Sequence, residues 1–337
     1  MNKEIIWPKT IFGTSGLGNL YEAVPFEQKR DIVKACLTHG EKPVCFDSAG
    51  KYGAGLALES LGKALNELDV QPIDILISNK LGWLRTELKT PEPTFEPGVW
   101  RNLKHDAIQK ISYNGILECY DQGNHLLNGY KAELVSVHDP DEYLKNAKDA
   151  ADRQSRYVDI LEAYRALSDL KAAGKVKSIG VGSKDWHIIK YITNVVKLDW
   201  VMIANSMTIH SHPKALLEYM ESLEAQGIAI INSAVFNGGF LVGSSYYNYQ
   251  LKDPVADKDL FDWREMFNSL CAQYKIRPVE ACVAFGKSAP GVKCIALNTT
   301  KAEKIAANIA LTSKHIPIEF WTAMKDQGLI ESAYAYI

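Results

Sequence analysis

The sequence predicts an α/β fold in which eight β/α units close into a barrel, with long loops on the catalytic face. Eight short β-rich segments alternate with helical patterns along the 337 residues. No linker or low-complexity stretch divides the chain, so we expect a single domain over residues 1–337. Ionisable residues follow three of the predicted strands, as in (β/α)8 TIM barrels whose strand ends share one site. The pattern alone leaves a doubly wound sheet open as the alternative.

The predicted strands are short apolar or β-branched runs bounded by polar residues and glycines. Continuous apolar runs of this length are typical of parallel strands that are buried on both faces. They lie at residues 10–13, 44–46, 75–79, 134–137, 176–181, 200–204, 228–232 and 292–296.

Helical patterns fill the spaces between the strands, at residues 26–39, 56–66, 114–128, 157–173, 186–196, 213–226, 261–288 (as two helices), 301–311 and 317–325. Pro317 suits a first helical position. Gly40, Gly174 and Gly227 follow helical runs, where left-handed caps are common. The longest irregular segments, 81–112 and 236–260, both follow strands, so both are predicted to lie over the catalytic face.

Charge and composition narrow the class of protein. The formal net charge is -2, which argues against a general binder of nucleic acid or anionic membrane. The six cysteines are scattered and form no C-x-x-C pair, so a reducing cytoplasmic setting is expected. Residues 1–10 contain no apolar signal-peptide core, and no window approaches a membrane span.

The second, third and fourth predicted strands each lead into an ionisable residue. Asp47 follows the strand at 44–46, and Tyr52 comes five residues later. Lys80 follows the next strand and His138 the one after it. Taken singly, such residues are more often turn, solvated or structural residues. Their joint occurrence at successive strand ends indicates one shared proton-transfer site.

These segments resemble motifs of the aldo-keto reductase superfamily. DSAGKYG resembles its D-x-A-x-x-Y-G motif, and SNKLGW and SVHDPDEY resemble its lysine and histidine motifs. The order and spacing agree, and the similarity extends from about residue 9 to about residue 308. The resemblance implies a (β/α)8 barrel and catalytic roles for Asp47, Tyr52, Lys80 and His138. It also implies a nicotinamide cofactor extended across the barrel mouth, and no metal.

The four residues permit a specific division of labour. A tyrosine can exchange a proton with a carbinol oxygen, although its usual pKa is about 10. A lysine ammonium at Lys80 lowers the cost of ionising Tyr52, and Asp47 can hold Lys80 by charge pairing. His138 can hydrogen-bond the substrate oxygen and fix its position.

Three other motifs are weaker, and a fourth is absent. GTSGLG at residues 13–18 lacks the spacing of a dinucleotide-binding loop, and ACVAFGKS at 281–288 lacks the first glycine of a Walker loop. His210 and His212 suit a structural loop better than a metal site. No G-x-S-x-G motif supports a hydrolase.

The family's cofactor contacts map onto positions at the strand ends and beyond the eighth strand. NADP-preferring members have a lysine at Asn298, an arginine at Lys304 and a glutamate at Ala307, so the resemblance favours NAD slightly and leaves NADP open. A lysine cannot replace the bidentate phosphate contact of an arginine. The predicted contacts are Gly13, Thr14, Ser183, Asn205, Ser233, Gly238, Gly239, Asn298, Thr299, Lys304 and Asn308.

The stretches YNGILECYDQ, SVHDPDEY and NGGFL resemble the branch of L-fucose, D-threo-aldose and L-galactose 1-dehydrogenases. This resemblance implies a small-molecule sugar substrate whose C1 is oxidised to the lactone. Trp83 and Trp100 either stack on a pyranose or anchor the long third loop. A reductase of small aldehydes or ketones, or a slowly turning redox-sensing subunit, remains open, as does the oligomeric state.

Overall fold

The computed structural model describes residues 5–337. Eight parallel strands close into a barrel in which each strand pairs with its neighbours in sequence and the last pairs with the first. The predicted (β/α)8 barrel is therefore confirmed. The strands are β1 (Thr10–Gly13), β2 (Val44–Ala49), β3 (Ile75–Leu81), β4 (Leu134–His138), β5 (Ser178–Ser183), β6 (Trp200–Ala204), β7 (Ala229–Ser233) and β8 (Val292–Leu297).

Eleven helices of the described chain surround or extend the barrel. They are α1 (Phe26–His39), α2 (Leu56–Glu67), α3 (Tyr113–Leu126), α4 (Pro140–Lys145), α5 (Ala150–Ala172), α6 (Trp186–Val195), α7 (Lys214–Ala225), α8 (Lys258–Gln273), α9 (Pro278–Ser288), α10 (Ile305–Leu311) and α11 (Ile318–Asp326).

The strand alternation divides the core into two parts. Side chains such as Cys45, Leu76 and Leu134 form an apolar plug with Trp200. The strand residues that alternate with these plug residues point outward and pack against the surrounding helices. Since side chains of a strand alternate between faces, residues two or four positions beyond the plug also point inward. Gly180 makes room for the plug, because a Cβ there would lie 2.2 Å from the Trp200 ring.

Several element boundaries differ from the predictions. Helix α5 begins earlier than predicted, because the Asp149 side chain accepts from the amide of Asp152 and caps it. Helix α4 was not predicted. Pro317 is the N-cap of α11 rather than its first helical residue. Gly40 is extended, whereas Gly174 and Gly227 have the expected left-handed backbone.

The predicted irregular segment 81–112 contains an antiparallel hairpin of Trp83–Glu87 and His105–Gln109. Its strands carry mostly polar residues and pair across a long connection, so their sequence gives little apolar alternation. Segment 236–260 contains a short 3₁₀ turn, Phe240–Val242, and a small hairpin of Tyr246–Tyr247 with Gln250–Leu251. In residues 5–337, no helix has the length and apolarity needed to cross a membrane.

Candidate active site

The structure brings the four predicted proton-transfer residues together at the carboxyl ends of β2, β3 and β4. The Lys80 ammonium forms a buried ion pair with the Asp47 carboxylate. It also donates to the phenolic oxygen of Tyr52 over 3.1 Å. The rings of Tyr52 and His138 meet edge to face, with centroids 5.6 Å apart. A substrate oxygen placed between the phenol and the imidazole would meet both groups.

Asp47 is fixed from two sides by neighbouring strands. Ser78, its register partner on β3, donates to Asp47 Oδ1 over 3.0 Å, which leaves Oδ2 for Lys80. From the β1 side, both the amide and the hydroxyl of Thr14 donate to the Asp47 carbonyl oxygen at 3.0 Å. Thr14, predicted as a cofactor contact, is therefore also a structural partner of Asp47.

A tight turn after β2 delivers Tyr52 to the site. The Tyr52 amide donates to the Ala49 carbonyl over 3.1 Å, and Gly53 follows with a left-handed φ of 62°. A Cβ on Gly53 would lie 2.2 Å from the Gly18 carbonyl oxygen. Glycine at this position lets the loop after β1 approach closely and hold the tyrosine turn.

The electrostatics of the site set the resting protonation states. Burial raises the pKa of Tyr52 above its usual value of about 10, while the nearby Lys80 ammonium lowers it in part. Burial acts to lower the pKa of Lys80, but Asp47 and Tyr52 raise it above its usual range. Burial, together with Lys51 and Lys80, holds the pKa of His138 well below its usual value. At neutral pH the site therefore contains a neutral phenol, an ammonium and a neutral imidazole.

The predicted cofactor contacts at the ends of β5, β6 and β7 are neighbours. Ser183 pairs in register with the end of β6, and the Asn205 amide N–H donates to the Ser233 carbonyl over 3.2 Å. The Asn205 side chain is 5% exposed, and within residues 5–337 neither its amide nitrogen nor its oxygen has a hydrogen-bond partner. The Ser183 hydroxyl is already engaged, since it donates to the Asp185 carbonyl at 3.2 Å and accepts from the Asp185 amide at 3.1 Å.

The remaining predicted contacts lie in loops at the barrel mouth. Gly238 and Gly239 are half-buried, with left-handed φ values of 72° and 92°. The loop after β8 meets the loop after β1 where Asn298 Nδ2 donates to Ser15 Oγ over 2.7 Å. A Cβ at Gly13 would lie 3.5 Å from that of Asn298.

Beyond Asn298, the Thr299 hydroxyl accepts from the Lys301 amide over 3.2 Å. Lys304 is exposed, and Asn308 is half-buried in the middle of the following helix, α10. The predicted contacts after β8 thus form one open, polar edge of the mouth, with Lys304 exposed on its surface.

Trp100 and Trp83 differ in their surroundings. Trp100 is 5% exposed, its ring lies 5.9 Å from that of Tyr52, and its Nε1 donates to Glu96 over 2.7 Å. Trp83 is half-buried beside Phe95, with ring centroids 5.8 Å apart. Of the two predicted roles, this geometry favours anchoring of the third loop for Trp100, whereas the more open Trp83 suits stacking.

A cluster of charged residues that the sequence did not predict lies beside the four catalytic candidates. Lys51, directly before Tyr52, is 4% exposed and meets three carboxylates, those of Glu96, Asp139 and Glu142. From the sequence, a lysine between a glycine and a tyrosine in a loop is expected to face the solvent. Its partners lie after β3 and β4, at least 45 residues further along the chain, so no local pattern in the sequence marks this cluster.

Comparison with known proteins identifies the family. A model of the aldo/keto reductase family matches residues 9–327. This chain belongs to the aldo/keto reductase family. The members of this family are NAD(P)-dependent oxidoreductases, as the resemblance of the three motifs implied.

Two curated relatives match almost the whole chain. Pyridoxal 4-dehydrogenase from Microbacterium luteolum is 27% identical over 94% of this chain and 93% of its own length. D-threo-aldose 1-dehydrogenase from a Pseudomonas species is 23% identical over 96% of this chain and 94% of its own length. The second relative lies in the branch that the sequence motifs resemble.

Solved aldo/keto reductase structures share the fold. Glycerol dehydrogenase from Gluconobacter oxydans superposes with a TM-score of 0.70 at 16% identity, covering 96% of this chain and 92% of that chain. The holo form of an aldo-keto reductase from Bacillus halodurans gives 0.65 at 18% identity, covering 97% and 93%. At such low identity these neighbours support the barrel architecture alone.

Proposed function

We propose that this aldo/keto reductase is a dehydrogenase that oxidises C1 of a free aldose, in its cyclic hemiacetal form, to the lactone. The observation that carries the proposal is the contact of the Lys80 ammonium with Tyr52, beside the neutral imidazole of His138. Together these side chains can hold a hydroxyl oxygen and remove its proton. The sugar-dehydrogenase motifs around His138 support a hemiacetal as the bearer of that hydroxyl.

The residues at the ends of β5 to β7 fit a nicotinamide. A carboxamide offers one N–H donor group and one carbonyl acceptor, which complement the buried oxygen and nitrogen of the Asn205 side chain. Ser183 and Ser233 flank Asn205, and an unsatisfied buried amide costs free energy until such a ligand binds. When bound, the nicotinamide supplies the acceptor for the hydride that leaves C1.

The chain's own residues account for the proton and for the position of the substrate oxygen. His138, as a neutral imidazole, donates a hydrogen bond to the hydroxyl oxygen. Tyr52 accepts the hydroxyl proton after it has itself ionised, and Lys80 stabilises the phenolate by charge and hydrogen bonding. Asp47 keeps Lys80 protonated and in place. Loss of the proton and of the hydride converts the hemiacetal carbon to a lactone carbonyl.

The names of the two curated relatives both specify a substrate that forms a cyclic hemiacetal. An aldose closes on one of its own hydroxyls, and pyridoxal, with an aldehyde beside a hydroxymethyl group, closes in the same manner. In each ring the reacting carbon carries both a hydroxyl and a hydrogen. The ring oxygen stabilises positive charge as the hydride leaves, so this carbon is oxidised more readily than an ordinary alcohol.

A second candidate is reduction of small aldehydes or ketones. It is favoured by the raised pKa of Tyr52, because burial keeps the phenol protonated and a neutral phenol can donate to a carbonyl oxygen. The direction then depends on pH. The rate of oxidation increases as Tyr52 loses its proton, whereas reduction is faster while Tyr52 keeps it.

The test is a substrate panel with NAD and with NADP. L-fucose, D-arabinose, L-galactose and pyridoxal are assayed for oxidation, and simple aldehydes for reduction, by absorbance of the reduced nicotinamide. Product analysis should detect lactone or the acid that forms from it. Tyr52→Phe is the matched control, since it retains the ring. If no hemiacetal is oxidised while simple aldehydes are reduced well, the reductase function replaces the proposed one.

A further inference from the structure

The charged cluster beside the four catalytic candidates is centred on one ammonium group. Lys51 Nζ lies 2.8 Å from Glu96 Oε1, 2.9 Å from Glu142 Oε2 and 3.5 Å from Asp139 Oδ2. Three carboxylates around a buried lysine raise its pKa far above the usual range, although burial acts in the opposite direction. Lys51 therefore carries a permanent positive charge, and its three N–H groups face three acceptors.

The partners of Lys51 come from two other β/α connections of the catalytic face. Lys51 lies in the loop after β2, Glu96 in the segment after β3, and Asp139 and Glu142 after β4. Glu142 extends the cluster to the loop after β5, because Lys184 Nζ lies 2.5 Å from its Oε1. The Lys51 ammonium thus joins three successive β/α connections directly, and Glu142 links them to a fourth through Lys184. The β/α connections carry the active site of a barrel.

Two members of the cluster are backbone neighbours of catalytic candidates. Lys51 precedes Tyr52, and Asp139 follows His138. The ion pair between Lys51 and Asp139 therefore links the backbone that carries the phenol to the backbone that carries the imidazole. Asp139 has a left-handed φ of 45°, a conformation that a non-glycine residue keeps only when its surroundings fix it.

Glu96 connects Lys51 to the wall of the site, which is formed by Glu96 and Trp100. Its Oε1 binds Lys51, and its Oε2 accepts from Trp100 Nε1, whose ring packs on Tyr52. Glu96 also has a left-handed φ, of 43°. The segment is fastened on its other side where the Tyr21 amide donates to the Val99 carbonyl over 2.8 Å.

We propose that Lys51 is a positioning residue that fixes the distance between Tyr52 and His138 and holds the Glu96–Trp100 wall against the substrate site. The ion pairs of Lys51 within residues 5–337 are all with Glu96, Asp139 and Glu142, so it positions Tyr52 and His138 through these carboxylates. The positive charge of Lys51 also offsets the negative charge of these carboxylates beside His138. The charged and titratable groups that face His138 are Lys51, Tyr52, Lys80, Asp139, Glu142 and Lys184.

Three variants test the proposal. Lys51→Met retains the length of the side chain and removes its charge, whereas Lys51→Arg retains the charge. Glu96→Gln removes only the charged link to the wall. Lys171→Met is the matched control, because Lys171 forms a similarly close pair with Asp199, which precedes β6 at the opposite end of the barrel.

The first measurement does not depend on turnover. The imidazole protons of His138 are followed by NMR as the pH changes, and are assigned by their loss in His138→Asn. In Lys51→Met the titration midpoint should rise by at least roughly one pH unit, since a cation is lost and three carboxylates are left unbalanced. Lys51→Arg should restore the original midpoint. Lys171→Met should lower the thermal midpoint of unfolding without moving the His138 titration.

The second measurement is kinetic and rests on the proposed hemiacetal oxidation. We expect kcat/KM to fall about 10²-fold in Lys51→Met, because a small misplacement of reacting groups has effects of that size. Glu96→Gln should mainly raise KM and speed amide exchange at Val99. If Lys51→Met does not fold, the Glu96→Gln variant decides the question.

The outcomes separate a positioning role from a merely structural one. An unmoved His138 titration with unchanged kcat and KM in Lys51→Met, alongside reduced stability, would overturn the proposal. Unchanged KM and unchanged exchange at Val99 in Glu96→Gln would overturn it as well. Absence of hemiacetal turnover in the wild type contradicts the proposed function alone, because the titration and exchange measurements need no substrate.

Discussion

Lys80 lies between Asp47 and Tyr52, donating to the phenolic oxygen over 3.1 Å while it is ion-paired with the carboxylate. Two effects therefore compete at Tyr52. Burial raises the pKa of the phenol, and the ammonium lowers it, with burial the larger effect. Each pKa unit corresponds to about 1.36 kcal/mol between the two protonation states. The balance decides the pH at which Tyr52 can accept a proton.

Replacing Tyr52 with phenylalanine should abolish most turnover and leave cofactor affinity intact. The substitution removes only the hydroxyl, so the ring contact with Trp100 remains. General acid–base catalysis contributes about 10²–10⁴-fold, which sets the expected loss in kcat. Steady-state kinetics and a cofactor titration by protein fluorescence measure the two quantities. Near-normal kcat in this variant would show that another group transfers the proton.

The raised pKa of Tyr52 predicts opposite pH dependences for the two directions. Oxidation requires the phenolate, so its kcat should increase as the pH rises from neutrality toward that pKa. Reduction requires the neutral phenol, so its kcat should fall over the same range. Rates measured in both directions across pH check the prediction, and parallel profiles would contradict it.

Lys80 and Asp47 should act on Tyr52 as one unit. Lys80→Met removes the cation that lowers the pKa of Tyr52, so the rise of oxidation with pH should move to higher pH. Asp47→Asn added to Lys80→Met should cost little more, because Asp47 acts through Lys80. A double-mutant cycle on kcat/KM measures the coupling. Additive losses would show that the two residues contribute independently.

The barrel and the convergence of the four residues could be predicted because both depend on local patterns. Apolar runs mark the strands, and strand ends of a barrel meet at one face. Lys51 could not be predicted, since its burial depends on carboxylates brought from other loops by the completed fold. The direction in which the pKa of Tyr52 is shifted could not be predicted either. The sequence contains the lysine that lowers this pKa, but it does not show the extent of burial that raises it.

Asn205 should determine cofactor affinity. Its buried amide finds no partner among the described residues, so truncation to alanine costs the free protein little and removes both contacts to a carboxamide. We expect Asn205→Ala to weaken binding of the nicotinamide cofactor by about tenfold or more, for NAD and NADP alike. Fluorescence titration measures the affinity. Asn194→Ala, an exposed position on α6, is the control, and equal affinities in the two variants would contradict the assignment.

Cofactor choice should respond to Asn298. In the free protein its amide donates to Ser15, and the edge beyond it offers Lys304 as a cation. We expect the wild type to use NAD efficiently, and Asn298→Lys to shift preference toward NADP by adding a charge for a 2′-phosphate. Asn298→Ala loses the same hydrogen bond without adding charge, so it should leave the preference unchanged. A wild-type affinity for NADP far above that for NAD would show that the NAD prediction is wrong.

His212 should make stability depend on pH. The Glu331 amide donates to Nε2 over 3.1 Å, so Nε2 is the acceptor and the proton resides on Nδ1, which faces the Thr208 carbonyl at 3.2 Å. Protonation of Nε2 would break the bond that docks the chain after α11. Burial, opposed by Thr208 and Glu331, holds the pKa of His212 below its usual 6.5.

The sign of this dependence follows from which state takes up the proton first. Below about pH 6.5 the unfolded chain binds a proton at His212 and the folded chain does not, so the free energy of unfolding falls as the pH drops. His212→Phe retains the ring packing on Phe285 and Tyr334 but has no such site. At pH 7.5 it should be less stable by about 1–3 kcal/mol, because two backbone groups lose a partner. Urea unfolding between about pH 5 and 8 should show the difference in free energy of unfolding between the wild type and His212→Phe shrinking as the pH falls. The exposed His39→Phe variant is the control. A difference for His212→Phe that stays as constant with pH as that of the control would contradict the assignment.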